Sequence, residues 1–134
     1  MNAQRSSDSV SASSWRSARL FVTDEFAAPP VILRVDDSVI GTLGNFSAST
    51  GKAKSKKTFN VCAIVAAAMT GGTVLNYSAS LPPEKRRILY VDTEQSRFHC
   101  QRVLCRILRR AGLPTDLHPP LLEVLCLRGC ATQE

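Results

Sequence analysis

The sequence predicts an α/β fold built on a parallel β-sheet with right-handed crossovers. Short runs rich in β-branched residues alternate with longer helical runs, and the order strand, helix, strand, helix, strand follows along the chain. With 134 residues, the chain has the length of one domain. We expect a disordered or weakly ordered leader at residues 1–28 and a single domain at residues 29–134.

The first part of the chain changes character at a pair of prolines. Residues 1–18 contain seven serines and few large apolar side chains, a composition typical of disorder. Pro29 and Pro30 then introduce two β-rich runs with a turn at Asp36 and Asp37. The second run, roughly Val39 to Ser49, is predicted to lead as a strand into Gly51.

The next two elements are predicted to be a buried helix and a central strand. From about Lys57 to Thr70 the side chains are nearly all apolar and rich in alanine, which favours a helix buried on most sides, and Gly71 supplies its stop. The segment "NYSASLPPEKRR" is predicted to be a polar loop. The run "ILYV" that follows ends in acidic residues, as expected of a central parallel strand.

A second helix and a last strand complete the predicted order. Ser96 can cap a helix that Gly112 and Pro114 end. The run "LLEVLCL" is the last candidate strand. The helix has apolar side chains at helical spacing and arginines over much of its remaining surface. Such arginines usually remain in water above a packed helix, but they would bind nucleic acid if they formed one accessible stripe.

Composition restricts the function classes. Seventeen basic residues against eleven acidic ones give a net charge of +6, which favours a polyanionic partner. No apolar run reaches the roughly 20 residues that span a bilayer, and no signal peptide is evident. We therefore expect a cytoplasmic protein that is not associated with a membrane. The five cysteines lack the spacing of a zinc knuckle and are interpreted as reduced thiols rather than as a metal site or a disulfide framework.

The basic segment "STGKAKSKKTFN" holds four of the five lysines within six positions. It matches the phosphate-binding pattern Gly-x-x-x-x-Gly-Lys-Thr at Gly51, Lys57 and Thr58, and it departs from the pattern at Lys56, where glycine allows a tight turn. A solvated basic turn is the alternative. The strand predicted before the segment, the helix after it and the acids beyond the next strand favour phosphate binding.

The segments "TGKAKSKKTFNVCAIVAAAMTGG" and "RRILYVDTEQS" resemble the N-terminal half of RecA-like P-loop ATPases, and most of all the AAA-family or hexameric RepA-type ATPases of bacterial plasmids and mobile elements. The resemblance covers residues from about 30 to 128. It implies a three-layer P-loop NTPase fold with a parallel sheet, and ATP and Mg²⁺ as ligands. The residues that it implies for nucleotide binding are Gly51, Lys52, Ala53, Lys54, Ser55, Lys56, Lys57, Thr58 and Phe59.

The resemblance also implies roles in catalysis. Lys57 binds the β- and γ-phosphates, Thr58 ligates Mg²⁺, and Glu94 is the general base for the attacking water. Two alternatives stay open at the strand end: Asp92 holds Mg²⁺ through water, or Asp92 only caps the turn and Glu94 is merely exposed.

The resemblance further implies ATP hydrolysis in DNA replication, mobilisation or recombination, with DNA as a partner and a homo-oligomer as the complete assembly. The chain ends before the further strands of such a core, so we expect either a truncated or partial domain, apparently incomplete at its C-terminus, or a site that another chain completes. The rival interpretation is a non-catalytic basic module that binds nucleotide or nucleic acid without turnover.

Overall fold

The computed structural model of the chain describes residues 15–52 and 56–130. Its elements, in chain order, are β1 (Val31–Val35), β2 (Ser38–Thr42), α1 (Lys57–Thr70), β3 (Thr73–Val74), β4 (Tyr77–Ala79), β5 (Ile88–Asp92), α2 (Arg97–Arg110) and β6 (Leu122–Cys126). Within the predicted leader, the described residues from 15 onward are exposed to solvent throughout.

The strands form two separate sheets. The first four strands make an antiparallel sheet in the order β2–β1–β4–β3, whereas β5 and β6 form a parallel pair. The predicted three-layer RecA-like parallel sheet is therefore wrong. The reason lies in the connections, because Asp36 and Asp37 alone join β1 to β2, and Leu75 and Asn76 alone join β3 to β4. Two-residue loops make hairpins, whereas parallel neighbours need a crossover of a dozen or more residues.

Two local predictions fail together with the sheet type. The run from Val39 to Ser49 forms a strand only as far as Thr42, so that strand does not lead directly into the lysine segment. The predicted polar loop contains β4, which pairs with both β1 and β3. β4 is only three residues long and includes a serine, so its apolar pattern is too short to predict a strand by itself.

Helix α1 joins the two sheets in one core. It has the predicted bounds, and it ends at Gly71, whose φ of 65° lies in the left-handed region and whose N–H bonds to the carbonyl of Ala67. Small side chains let neighbours approach on several sides, and α1 packs against α2, β3, β4 and β5. The buried core cluster comprises Cys62, Val65, Ala66, Val103, Ile107 and Leu122.

The parallel pair is covered on one face. Helix α2 begins with Ser96 as its N-cap, as predicted, and connects β5 to β6, which pair in register from Ile88 with Leu122 to Asp92 with Cys126. On the other face, Leu89 and Val91 remain 60% and 45% exposed. Strand β5 is therefore not the central strand that its apolar run predicted, since within the described residues it has one neighbour and one covered face.

Candidate functional site

A cleft of about 460 Å³ lies between the first turn of α1 and the carboxyl end of β5. We call it the α1–β5 cleft. Its walls come from two segments far apart in sequence: residues 57, 58, 61 and 65 of the helix, and residues 89–95 of the strand and its following turn. The cleft thus brings Lys57, Thr58, Asp92 and Glu94 together.

The chain enters α1 through a left-handed residue. Lys56 is the N-cap and has φ 60° and ψ 23°, the conformation that glycine adopts without a steric cost. Lys56 occupies the position where the phosphate-binding pattern has glycine, so the lysine takes up the backbone turn at a cost of about 1–2 kcal/mol.

The first turn of α1 is an electropositive end. It contains no acidic residue, and in the described part of the chain the side chain of the N-cap residue Lys56 makes no hydrogen bond to its N–H groups. The first N–H groups of a helix have no partner within the helix, and the helix dipole adds partial positive charge at this end. Lys56 and Lys57 add two full charges. This end of α1 therefore attracts anions.

Lys57 is positioned by the segment that precedes it. Its Nζ donates a hydrogen bond of 2.7 Å to the carbonyl oxygen of Gly51, at an exposed site. This bond brings the side chain of Lys57 into contact with the backbone of Gly51. Lys52 is exposed. The predicted site residues Ala53, Lys54 and Ser55 lie outside the described residues.

The neighbouring residues Thr58 and Phe59 lie in different environments. Thr58 is half-buried and lines the α1–β5 cleft. Phe59 is not among the residues that line it, and its ring lies under the guanidinium of Arg110, 3.9 Å from the ring centre. The structure therefore assigns Phe59 to the contact between α1 and α2.

Asp92 is a turn-capping residue at the end of β5. Its Oδ1 accepts hydrogen bonds from the N–H groups of Glu94 (3.0 Å) and Gln95 (2.7 Å), and its Oδ2 accepts from Gln95 Nε2 (2.7 Å) and the Tyr90 hydroxyl (3.3 Å). A carboxylate has about four lone-pair sites. All of them are engaged, so this geometry favours the capping interpretation over a role in holding a metal-bound water.

The hydrogen bonds also determine the charge of Asp92. Burial by itself would raise the pKa of this carboxyl, but the donors from Gln95, Glu94 and Tyr90 outweigh burial and hold the pKa below its ordinary value. Burial and the neighbouring carboxylate raise the pKa of Tyr90 to about 12, so its hydroxyl keeps its proton and donates. Asp92 is thus ionised at neutral pH and holds the turn that carries Glu94.

Two of these partners were not predicted from the sequence. Gln95 supplies two of the four donors to Asp92. An Asp side chain commonly accepts hydrogen bonds from backbone N–H groups a few residues further on, which predicts a turn at this position but not the side-chain donor of Gln95. Tyr90 gave no comparable signal, because a tyrosine within an apolar strand is usually a core residue. Glu94 lies at the rim of the cleft with its side chain exposed and its N–H bonded to Asp92.

Asp92→Asn is expected to destabilise the chain in a pH-dependent manner. At pH 7 we expect a loss of about 1–3 kcal/mol in the free energy of unfolding, because the amide leaves donors unpaired. A lowered pKa in the folded state contributes stability above the unfolded value of about 3.9, and this contribution is lost as the pH falls through the folded value. Urea unfolding at pH 7 and pH 2.5 measures the difference, which should shrink at the lower pH.

Asp116→Asn is the matched control, since Asp116 is exposed in the connection between α2 and β6. The control should leave the unfolding free energy nearly unchanged at neutral pH. An equal loss for Asp92→Asn at both pH values would contradict the role of the ionised carboxylate.

The arginines of α2 divide into two groups. Arg102, Arg106 and Arg109 are exposed at positions i, i+4 and i+7 and share one side of the helix, which contains no acidic residue. Arg110 is turned toward Phe59, and its Nη1 is buried without a hydrogen-bond partner in the described part of the chain. The three exposed arginines form the accessible stripe that phosphate contacts would require; we call it the arginine stripe.

Two further expectations concern metals and membranes. Within residues 15–52 and 56–130, no three side chains of His, Cys, Asp or Glu are grouped as ligands for a metal ion, and the five cysteines are free thiols. In the same residues, no helix combines the length and the apolar character needed to cross a bilayer.

No protein-family model, curated protein or solved structure matches this chain.

Proposed function

We propose that the chain binds the phosphate groups of ATP in the α1–β5 cleft and hydrolyses ATP with Mg²⁺. The observation that carries the proposal is that the cleft joins Lys57 and Thr58 of one segment to Glu94 of another. A cation at a helix N-terminus, a hydroxyl beside it and an exposed carboxylate opposite are the groups that phosphoryl transfer to water uses. A merely solvated basic turn would not require the acidic turn as its neighbour.

Phosphate binding uses the electropositive end of α1. The phosphates lie against the N–H groups of the first helical turn, and Lys57 neutralises the charge of the terminal groups. Because Lys57 is hydrogen-bonded to Gly51 without a ligand, phosphate binding exchanges a neutral carbonyl acceptor for an anionic one. Charge-assisted hydrogen bonds are roughly twice as strong as neutral ones, which favours the exchange.

The cleft can bind Mg²⁺ although it offers the ion few protein ligands. Mg²⁺ keeps several waters and is usually held by one or two protein oxygens together with substrate phosphates. Thr58 supplies such an oxygen at the cleft wall. Both oxygens of Asp92 already accept hydrogen bonds within the turn, so Thr58 is the residue that would bind the ion. Bound there, Mg²⁺ would neutralise charge that develops on the phosphate oxygens.

Glu94 is the proposed general base. Its exposed carboxylate is free to approach a water at the mouth of the cleft and to take its proton as the water attacks the terminal phosphorus. Asp92 acts as a positioning residue, since it holds the N–H of Glu94 and both donors of Gln95. The similarity of the loop and of "VDTEQ" to P-loop ATPase motifs supports ATP as the nucleotide.

Isothermal titration calorimetry with ATP tests the binding step. ATP should bind more tightly with Mg²⁺ than without it, and AMP should bind at least about tenfold more weakly, because the site is directed at the outer phosphates. Equal affinities for ATP and AMP would contradict the phosphate site.

The same titration with a single-stranded oligonucleotide tests nucleic-acid binding, which the arginine stripe favours as a second function. Affinity that falls steeply with added salt would support it. Heat of binding that is absent at low salt would contradict it.

A further inference from the structure

Two cysteines that are far apart in sequence meet behind the turn that carries Glu94. Cys100 lies in the first turn of α2, and Cys126 is the last residue of β6. Their Sγ atoms donate to the same acceptor, the carbonyl oxygen of Gln95, at 3.8 Å and 3.3 Å respectively. The two thiols therefore meet at one backbone carbonyl group. The parallel pairing of β5 and β6 brings them together, and their sequence spacing does not predict it.

The pair is reachable from solvent. Both cysteines line an open groove of about 710 Å³ between α2 and β6, whose other walls include Phe98, Leu104 and Leu125. Cys126 is half-buried in this groove, whereas Cys100 is only 3% exposed. Burial, the adjacent thiol of Cys126 and the carboxylate of Asp92 raise the pKa of Cys100 to about 11. Cys126 is therefore the thiol that meets a reagent first.

We propose that Cys100 and Cys126 form a dithiol modification site that a low-molecular-weight disulfide, such as oxidised glutathione, converts to a protein disulfide. The Cys126 thiolate attacks one sulfur of the oxidant, the S–S bond of the oxidant breaks, and one glutathione thiolate leaves. The Cys100 thiol then loses its proton to water and attacks the Cys126 sulfur, and the second glutathione leaves. Two protein thiols are oxidised to one disulfide while the oxidant is reduced to two thiols.

Closure of this disulfide changes the turn next to it. Both S–H donors are withdrawn from the Gln95 carbonyl, and Gln95 is the residue whose N–H and side-chain amide hold Asp92. The N–H of Leu127, next to Cys126, also donates to the Asp92 carbonyl at 2.8 Å. The redox state of the pair is therefore linked to the turn through direct contacts, with or without nucleotide.

Peptide mapping provides the test, because trypsin places each of the five cysteines on its own peptide. The relevant peptides are 58–85, 98–102, 103–106, 111–128 and 129–134. The chain is incubated with oxidised glutathione, the remaining thiols are blocked with an alkylating agent, and the digest is analysed without reduction. We expect peptide 98–102 to be linked to peptide 111–128 as the main product, and a reductant to release both.

Variants separate this pair from the other thiols. Cys126→Ser should abolish the linked product, whereas Cys105→Ser on the same helix and Cys130→Ser at an exposed position should leave it unchanged. Because the disulfide closes a loop between α2 and β6, oxidation should raise the melting temperature of the parent chain by at least about 5 °C. Linkage of other cysteine peptides as the main product, or glutathione adducts without the 98–102 to 111–128 link, would overturn the proposal.

Discussion

Lys57→Ala is expected to lower the affinity for ATP by at least about 10- to 100-fold. Lys57 is the first residue of α1 and lines the α1–β5 cleft, and its ammonium group is hydrogen-bonded to the Gly51 carbonyl in the absence of phosphate. A hydrogen bond between charged partners contributes about 1.5–3 kcal/mol, and each 1.4 kcal/mol corresponds to a factor of ten in affinity. Calorimetric titration of the parent and variant with Mg²⁺ and ATP measures the difference.

Lys52→Ala is the matched control for this experiment. It removes the same charge from an exposed position outside the helix, and its effect should be several-fold smaller because Lys52 does not lie at the helix N-terminus. The exposed bond from Lys57 to Gly51 contributes only about 0.5–1.5 kcal/mol to folding, so both variants should unfold at temperatures close to that of the parent. Equal losses of affinity in the two variants would indicate a diffuse basic patch and contradict the phosphate site.

Glu94→Gln is expected to keep the affinity for ATP and to lower the rate of hydrolysis by about 10²–10⁴-fold. The amide retains the shape of the side chain but cannot accept a proton from water, and general-base catalysis contributes a factor of this size. The backbone bond from Glu94 to Asp92 is unaffected by the substitution, so the turn keeps its conformation. A phosphate-release assay at saturating ATP gives the rate.

Glu84→Gln is the control for the removal of an acidic charge, since Glu84 is exposed in the short 3₁₀ turn at Pro83–Lys85. Its rate should equal that of the parent chain. An unchanged rate in Glu94→Gln would contradict the role of this carboxylate. A parent chain that binds ATP but releases no phosphate would contradict hydrolysis and support the non-catalytic interpretation.

The helices were well predicted because their signals are local. Helix α1 runs from Lys57 to Thr70 with Gly71 as its C-cap, and α2 begins after the Ser96 cap, as the apolar spacing and the capping residues indicate. A cap and a helical stop involve neighbours within four residues, so the sequence alone contains the information. The position of the strand "ILYV" is also predicted by its local apolar run. The exposure of one of its faces is not, because that depends on which elements pack against the strand.

The predicted strand direction is wrong for β1 to β4, which are antiparallel, whereas β5 and β6 are parallel. The short apolar runs of β1 and β2 are compatible with parallel or antiparallel strands. The two-residue turns at 36–37 and 75–76 make each pair of strands an antiparallel hairpin. The short strand β4 lies between β1 and β3 and has no recognisable pattern of its own. Its conformation depends on partners that lie on both sides of it.

By itself, the sequence determined where the helices begin and end, which positions of the basic segment "STGKAKSKKTFN" match a phosphate-binding pattern, and which acids follow the strand "ILYV". The tertiary structure alone decided that Lys57 and Glu94 share one cleft, that Asp92 is fully engaged as a turn cap, and that Cys100 meets Cys126. The physical reason is the range of the interactions: capping and helical periodicity act between near neighbours, whereas a cleft or a thiol pair requires segments that only chain packing brings together.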